Sequence, residues 1–238
     1  FAETFGDVSA TRSVMPDYNG VDWTRDLVWI DDTFLFVVDS IDILRDAEYD
    51  LRCLWRTLGD TELEATGLSV GQQGVQFRIV SADNSEKSLE VEHPRVTGQD
   101  PYAAYDFADG PIQILRERVQ MHGRPGDRVR YGNLMVAGDR EAVDSAEARR
   151  VGEGTFVLRS GERRCVVDCS GSRRDLGVLS IRADLFVLEG SRATLLQASR
   201  FLLEGVGFTA DRAVHAFVDV AAGRATLRTQ RETTVVFT

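Results

Sequence analysis

The stretch Asp22–Leu58, DWTRDLVWIDDTFLFVVDSIDILRDAEYDLRCLWRTL, constrains the fold more than any other part of the chain. It predicts three consecutive strands, Leu27–Ile30, Phe34–Ile41 and Tyr49–Thr57. Asp31-Asp32 supplies a tight hairpin between the first two, because Asp tolerates turn geometry and bonds its own backbone. In the third, Tyr49, Leu51, Cys53 and Trp55 fall on one face and Asp50, Arg52 and Arg56 on the other. That period of two is the signature of a half-buried strand, so the expectation is a meander with one wet face.

The rest of the chain repeats this grammar. Ser9–Val14 reads as a short strand before the turn residues Met15–Gly20, and Leu63–Leu68 pairs with Gly74–Val80 across Gly71–Gly74. Ser88–Glu92 is a strand that Pro94 ends, since proline has no ladder donor. Ile112–Met121 and Asp127–Ala137 flank the turn His122-Gly123-Arg124-Pro125-Gly126. From Gly154 onward, short apolar runs alternate with turns at Gly161, Gly171, Gly190, Gly205 and Gly223. Asp139–Val151 is the one stretch that suits a helix, short and polar, and it suits a surface loop equally. Many short strands at about 8–12-residue spacing mean an antiparallel fold and exclude βαβ architecture. About eighteen candidate strands overfill a small barrel. The chain is therefore read as all-β, one large two-sheet antiparallel β-sandwich over residues 1–238 with little helix.

Composition narrows function mainly by exclusion. The 28 Lys and Arg against 38 Asp and Glu leave a net charge of -10, which repels nucleic acid and anionic lipid at long range. No apolar run is long enough to cross a membrane as a helix. No spacing typical of a protein-built metal site, a phosphate loop, a dinucleotide fingerprint or a serine-hydrolase elbow occurs, so neither metal nor cofactor is expected. Three cysteines, Cys53, Cys165 and Cys169, make no disulfide framework. Lys87 is the one lysine, a bias read as genomic. The chain starts at Phe1 and stops in a strand-like run at Thr238, which reads as a piece of a longer protein.

Three runs carry a family resemblance. Asp17–Ile41, with an aromatic, an Arg and a strand ending in Val37-Val38-Asp39, resembles the β-sandwich domain that follows the helical toroid in heparinase II/III-like polysaccharide lyases. Ile114–Ala137 is similar to that family's hairpin of strand, charged turn with Pro-Gly, and strand carrying Asn133-Leu134. The short strands from Leu176 on are generic. The resemblance implies a module of a secreted or periplasmic bacterial enzyme that cleaves uronate-containing polysaccharides by β-elimination. It also implies a partner, the preceding α-helical toroid, without which the module is inactive. It transfers no catalytic residue. The alternative is a non-catalytic carbohydrate-binding or structural sandwich.

Candidate substrate-binding residues follow from chemistry suited to an acidic sugar chain. Tyr18, Trp23 and Arg25 place aromatic faces beside a guanidinium, for stacking on a ring and pairing with its carboxylate; the plainer reading is a core-edge aromatic with a surface ion pair. Arg116 lies on one strand face with Arg118, where Glu117 argues for a solvated surface. His93 precedes an aromatic loop with Tyr102 and Tyr105, and is preferred over His122 and His215 as a neutral-pH base.

Overall fold

The computed structural model describes residues 2–31, 33–82, 87–92, 112–176, 179–229 and 231–238. Strands β1 (Ala2–Phe5), β2 (Val8–Tyr18), β3 (Val21–Ile30) and β4 (Phe34–Ile43) are consecutive antiparallel neighbours. β5 (Ala47–Thr57) then leaves them. β6 (Asp60–Glu64), β7 (Gly67–Gln72) and β8 (Val75–Ser81) make a second meander, while β9 (Ser88–Glu92) and β10 (Gln113–Gly123) join β5 in a small sheet of order β5-β10-β9. β11 (Arg128–Gly138) inserts between β4 and β8, completing an eight-stranded central sheet. The helix α1 (Arg140–Asp144), capped by Asp139 Oδ1 accepting from Ala142 N, leads to the last sheet.

That sheet contains β12 (Glu147–Gly152), β13 (Thr155–Ser160), β14 (Arg163–Asp168), β15 (Arg173–Leu176), β16 (Leu179–Arg182), β17 (Leu185–Glu189), β18 (Arg192–Leu203), β19 (Val206–Asp219), β20 (Arg224–Arg228) and β21 (Val235–Phe237). This back sheet packs against one face of the central sheet. Phe34, Phe36, Val38, Leu134 and Val136 meet Phe156, Leu158, Val167 and Leu185 in one core, with Phe36 and Phe156 edge to face at 5.0 Å. The two large sheets are the predicted sandwich. A further core lies within the back sheet around Ile181, Leu195, Phe201 and Phe208.

The small sheet is a third layer, a cap on the opposite face of the central sheet. Cys53 and Val119 pack on Val21, Ile41 and Ile43, and Leu115 packs on Val37, Leu68 and Ile79. β4 therefore alternates between two cores, Phe36 and Val38 on one side and Val37 and Ile41 on the other. Of the first three predicted strands only Phe34–Ile41 is covered on both faces; Leu27 and Trp29 of the first and Asp50, Leu54 and Arg56 of the third are exposed.

Four expectations are corrected. β5 does not continue the β3–β4 meander but pairs with β10, because its apolar face finds a core only across the layer. β10 and β11 do not form a hairpin; they belong to different sheets, and the β4–β11 ladder turns the corner where Ile43 N donates to Asp127 O and Gly126 N to Ile43 O. Gly123 makes that corner possible, since a Cβ there would stand 2.9 Å from the Tyr49 ring. Leu63–Leu68 is broken by a turn into parts of two strands, β6 and β7. The helix stops at Asp144, and Glu147–Gly152 extends along β13 instead, with Val143 and Ala146 anchored in the main core.

Candidate functional site

The cap is narrower than the sheet beneath it. It leaves part of the outer face of β2 and β3 open, where Met15, Tyr18, Leu27 and Trp29 are exposed large apolar side chains. At the corner end, a hollow of about 660 Å³ lies between Tyr18, Trp23, Arg45, Tyr49 and Arg52. A second, of about 260 Å³, is lined by Ser13, Val14, Met15, Trp23 and Arg25. Trp23 lines both, so the two hollows adjoin across its side chain and together make a trough along this face.

Local sequence explains the aromatic edge. The register of β2 against β3 shifts between Met15 and Tyr18, and the turn runs through Asp17, Asn19 and Gly20, all at positive φ. Asp and Asn tolerate this backbone, and glycine does so without strain. The shift brings the Tyr18 ring to 6.4 Å from Trp23, tilted by 52°. Opposite, the Tyr49 hydroxyl donates to the carbonyls of Gly20 and Arg45, which ties the cap to this turn.

Arg25 is already partnered. Its Nε and Nη2 each donate to buried Asp39 at 2.7 Å, and Asp39 also accepts from Trp23 Nε1 at 2.8 Å. The guanidinium lies 5.6 Å from the Trp23 ring and 5.7 Å from the Trp55 ring, a cation held by two aromatic faces. The hydrogen bonds to Asp39 hold the Arg25 pKa above its ordinary value despite partial burial. Other charges at the rim are spent likewise. Arg45 pairs with Asp17 at 2.8 Å, and Asp50 takes both Arg118 and Arg52, which hold its carboxyl well below the usual range.

The trough thus unites Tyr18, Trp23 and Arg25. Arg116 lies elsewhere, on the outer face of the cap with Arg118 as expected, bound to Glu92. His93, Tyr102 and Tyr105 fall outside the described residues. His122 is exposed and pairs with Asp46 at 2.8 Å and Glu48 at 2.9 Å, chiefly the latter raising its pKa. His215 is buried in the back sheet, 3.7 Å from Glu3, and desolvation lowers its pKa. Neither of these two histidines lines the trough. Among the described residues no group of three or more His, Cys, Asp or Glu could hold a metal, and no helix is long and apolar enough to cross a membrane.

Sequence reasoning missed the buried polar groups beneath the cap. Asp39 ends the Val-Val-Asp run but points inward, and Glu117 is fully buried with Lys87 as its partner at 2.9 Å. The signal for Glu117 lay in its own alternation: Leu115, Glu117 and Val119 share the inward face.

With this geometry in hand, two solved structures are informative. One is heparan sulfate lyase HepC from Pedobacter heparinus, at a TM-score of 0.51 and 14% identity, covering 69% of this chain and 26% of that one. The fold is one that heparan sulfate lyases share. The other is a heparinase III with methylated lysines, at a TM-score of 0.52 and 12% identity over 70% of this chain and 26% of that one. The chain spans about a quarter of the length of either structure. No family model and no curated protein matches it. The likeness agrees, at the level of fold, with the lyase resemblance of the Asp17–Ile41 and Ile114–Ala137 runs.

Proposed function

We propose that this chain is the β-sandwich module of a polysaccharide lyase-like protein acting on uronate-containing glycans by β-elimination, completed by a preceding α-helical toroid domain. One observation carries the reading: within a fold shared with heparan sulfate lyases, the face left open by the cap is an aromatic trough with an arginine in its wall. Tyr18 and Trp23 offer ring faces for the apolar side of a sugar. Arg25 uses Nε and Nη2 on Asp39, and its remaining amino group is the donor for a sugar carboxylate. Elimination also needs a base for the proton α to that carboxylate and an acid for the leaving oxygen. The trough contains neither described histidine, so the module supplies binding and the toroid, or His93 with its aromatic loop, supplies the proton chemistry. On this reading the protein works in the periplasm or outside the cell.

A second reading, a non-catalytic carbohydrate-binding sandwich, is favoured by the ion-paired state of Arg25, Arg45 and Arg52. Ultraviolet absorbance of the unsaturated product separates the two. On a panel of uronic-acid polysaccharides, the longer protein carrying this module is expected to give signal and the 238-residue chain alone none. Silence from both on every substrate would leave the binding reading.

A further inference from the structure

Lys87 is the one lysine in a chain that otherwise draws all its side-chain cations from arginine, and it is buried. Its side chain is 3% exposed, and Nζ lies 2.9 Å from Oε2 of Glu117, whose side chain is 0% exposed. Nζ also donates to Ser81 Oγ at 2.8 Å and stands 5.2 Å from the centre of the Tyr131 ring. Ser81 Oγ and Trp55 Nε1 donate to the same glutamate. A fourth group belongs here. Asn133 follows Tyr131 by two residues on the same face of β11, and it is the direct cross-strand partner of Ser81 on β8. Side chains at such paired positions are roughly 5 Å apart at Cβ. The amine is therefore pinned between the two side chains that flank Asn133.

Asn133 is fully buried, and neither Nδ2 nor Oδ1 has a hydrogen-bond partner among the described residues. A buried primary amide with both ends unmet is an unstable choice for a packed interface, and native structures rarely keep one without a use. The choice of lysine has a similar logic. A guanidinium would grip a buried carboxylate with two parallel bonds but stays protonated, whereas an amine gives up its proton and becomes a nucleophile.

We propose that Lys87 Nζ and Asn133 Cγ condense into an intramolecular isopeptide bond, with Glu117 as the proton carrier. Glu117 takes one proton from the ammonium, and the resulting amine attacks the Asn133 amide carbon. As the tetrahedral adduct collapses, a second proton passes from the attacking nitrogen to Nδ2, which leaves as ammonia and carries away the first proton as ammonium. Glu117 ends as the carboxylate it began as. One carbon–nitrogen bond forms and one breaks, with no change in oxidation state. The product removes the orphaned amide and joins the segment leading into β9 to the central sheet, a covalent tie between cap and sandwich.

Intact-mass measurement of the purified protein tests this directly. The expected chain is lighter than its sequence by one ammonia, and proteolysis yields one branched peptide joining Lys87 to Asn133. Full mass with linear peptides from a natively folded chain would overturn the proposal. So would the same mass loss with linear peptides, the mark of a succinimide at an asparagine. Lys87→Arg and Glu117→Gln, each checked for native circular dichroism, are expected to restore the full mass; should either chain fail to fold, the wild-type branched peptide still decides. Persistence of the branched peptide in Glu117→Gln would remove the glutamate from the mechanism.

Discussion

The two faces of the central sheet are built on opposite principles. Toward the back sheet, β4 presents Phe34, Phe36 and Val38 to a core of Phe156, Leu158 and Leu185, a contact made by apolar shape. Toward the cap, the same strand presents Val37, Asp39 and Ile41, and the layer contains two bonded groups, Asp39 with Arg25 and Trp23, and Glu117 with Lys87 and Trp55. Apolar packing tolerates substitution of like for like, while a bonded polar layer fixes which side chain stands where. The contrast teaches that the back sheet is the scaffold and the cap interface is where orientation has been selected. The scaffold side has its own polar staple, Arg12 held by buried Asp26 and reaching the carbonyls of Cys169 and Asp184, but this ties the sheets together and opens on no hollow described above.

The contrast is broken most forcefully from the scaffold side. Phe36→Ala deletes a fully buried ring at its contact with Phe156 and should cost about 3–5 kcal/mol, read by denaturant unfolding. A cost below that of any cap substitution would invert the assignment. Next comes Asp39→Ala, which strips the carboxylate from Arg25 and Trp23. Because Arg25 is 40% exposed and rehydrates, the loss should be only about 1–3 kcal/mol. Tryptophan emission should shift to the red as Trp23 loosens, a change Phe36→Ala should not produce without unfolding.

The two described histidines sharpen the comparison through pH. His215, on the back sheet, has its pKa lowered by burial. The unfolded chain then binds the proton more tightly, so its contribution is full above an unfolded value of about 6.5 and is lost as pH falls toward the folded pKa. His122, on the cap, has its pKa raised by Glu48 and Asp46. Its contribution is present below about 6.5 and disappears as pH rises through the folded pKa. Stability profiles of His215→Gln and His122→Gln should therefore differ from the wild type with opposite slopes near neutral pH, and parallel profiles would refute the pairing. The smallest effect belongs to the trough. Trp23→Ala should weaken binding of an acidic polysaccharide several-fold, about 1 kcal/mol, in a titration of chain confirmed as folded by circular dichroism, since the change also takes a donor from buried Asp39. Tyr18→Ala should do less.

Much of the scaffold was legible in the chain. The alternation of Tyr49, Leu51, Cys53 and Trp55 placed these four side chains on one buried face, and the β3–β4 hairpin stands at Asp31. Pairing across sheets was not legible, because the Pro125-Gly126 turn that suits a hairpin equally suits a corner between layers. What decides is Gly123 beneath the Tyr49 ring, a contact between residues distant in sequence. The site was half legible. Tyr18, Trp23 and Arg25 do meet, but Asp39, which orients two of them, looked like the end of a strand. Glu117 was read with its arginine neighbours, although its spacing from Leu115 and Val119 assigned it inward. Lys87 looked like a trace of genomic bias, since nothing local reports that a lone amine will be buried against a carboxylate 30 residues away.

The corner at Ile43 and Gly126 has a mechanical consequence. Two strands pass from one layer to the other at the same edge, β4 into β5 and β10 into β11, and bonds between Ile43, Gly126 and Asp127 fasten them there. The cap is fastened again at the far end of β5, where Thr57 runs through Leu58-Gly59 into Asp60 of β6 in the central sheet. A layer pinned at both ends of one strand can neither slide along the sheet nor lift from it like a lid. The hollow beside Tyr18 and Tyr49 lies at one of these fastened ends, so a chain resting there meets walls of fixed spacing.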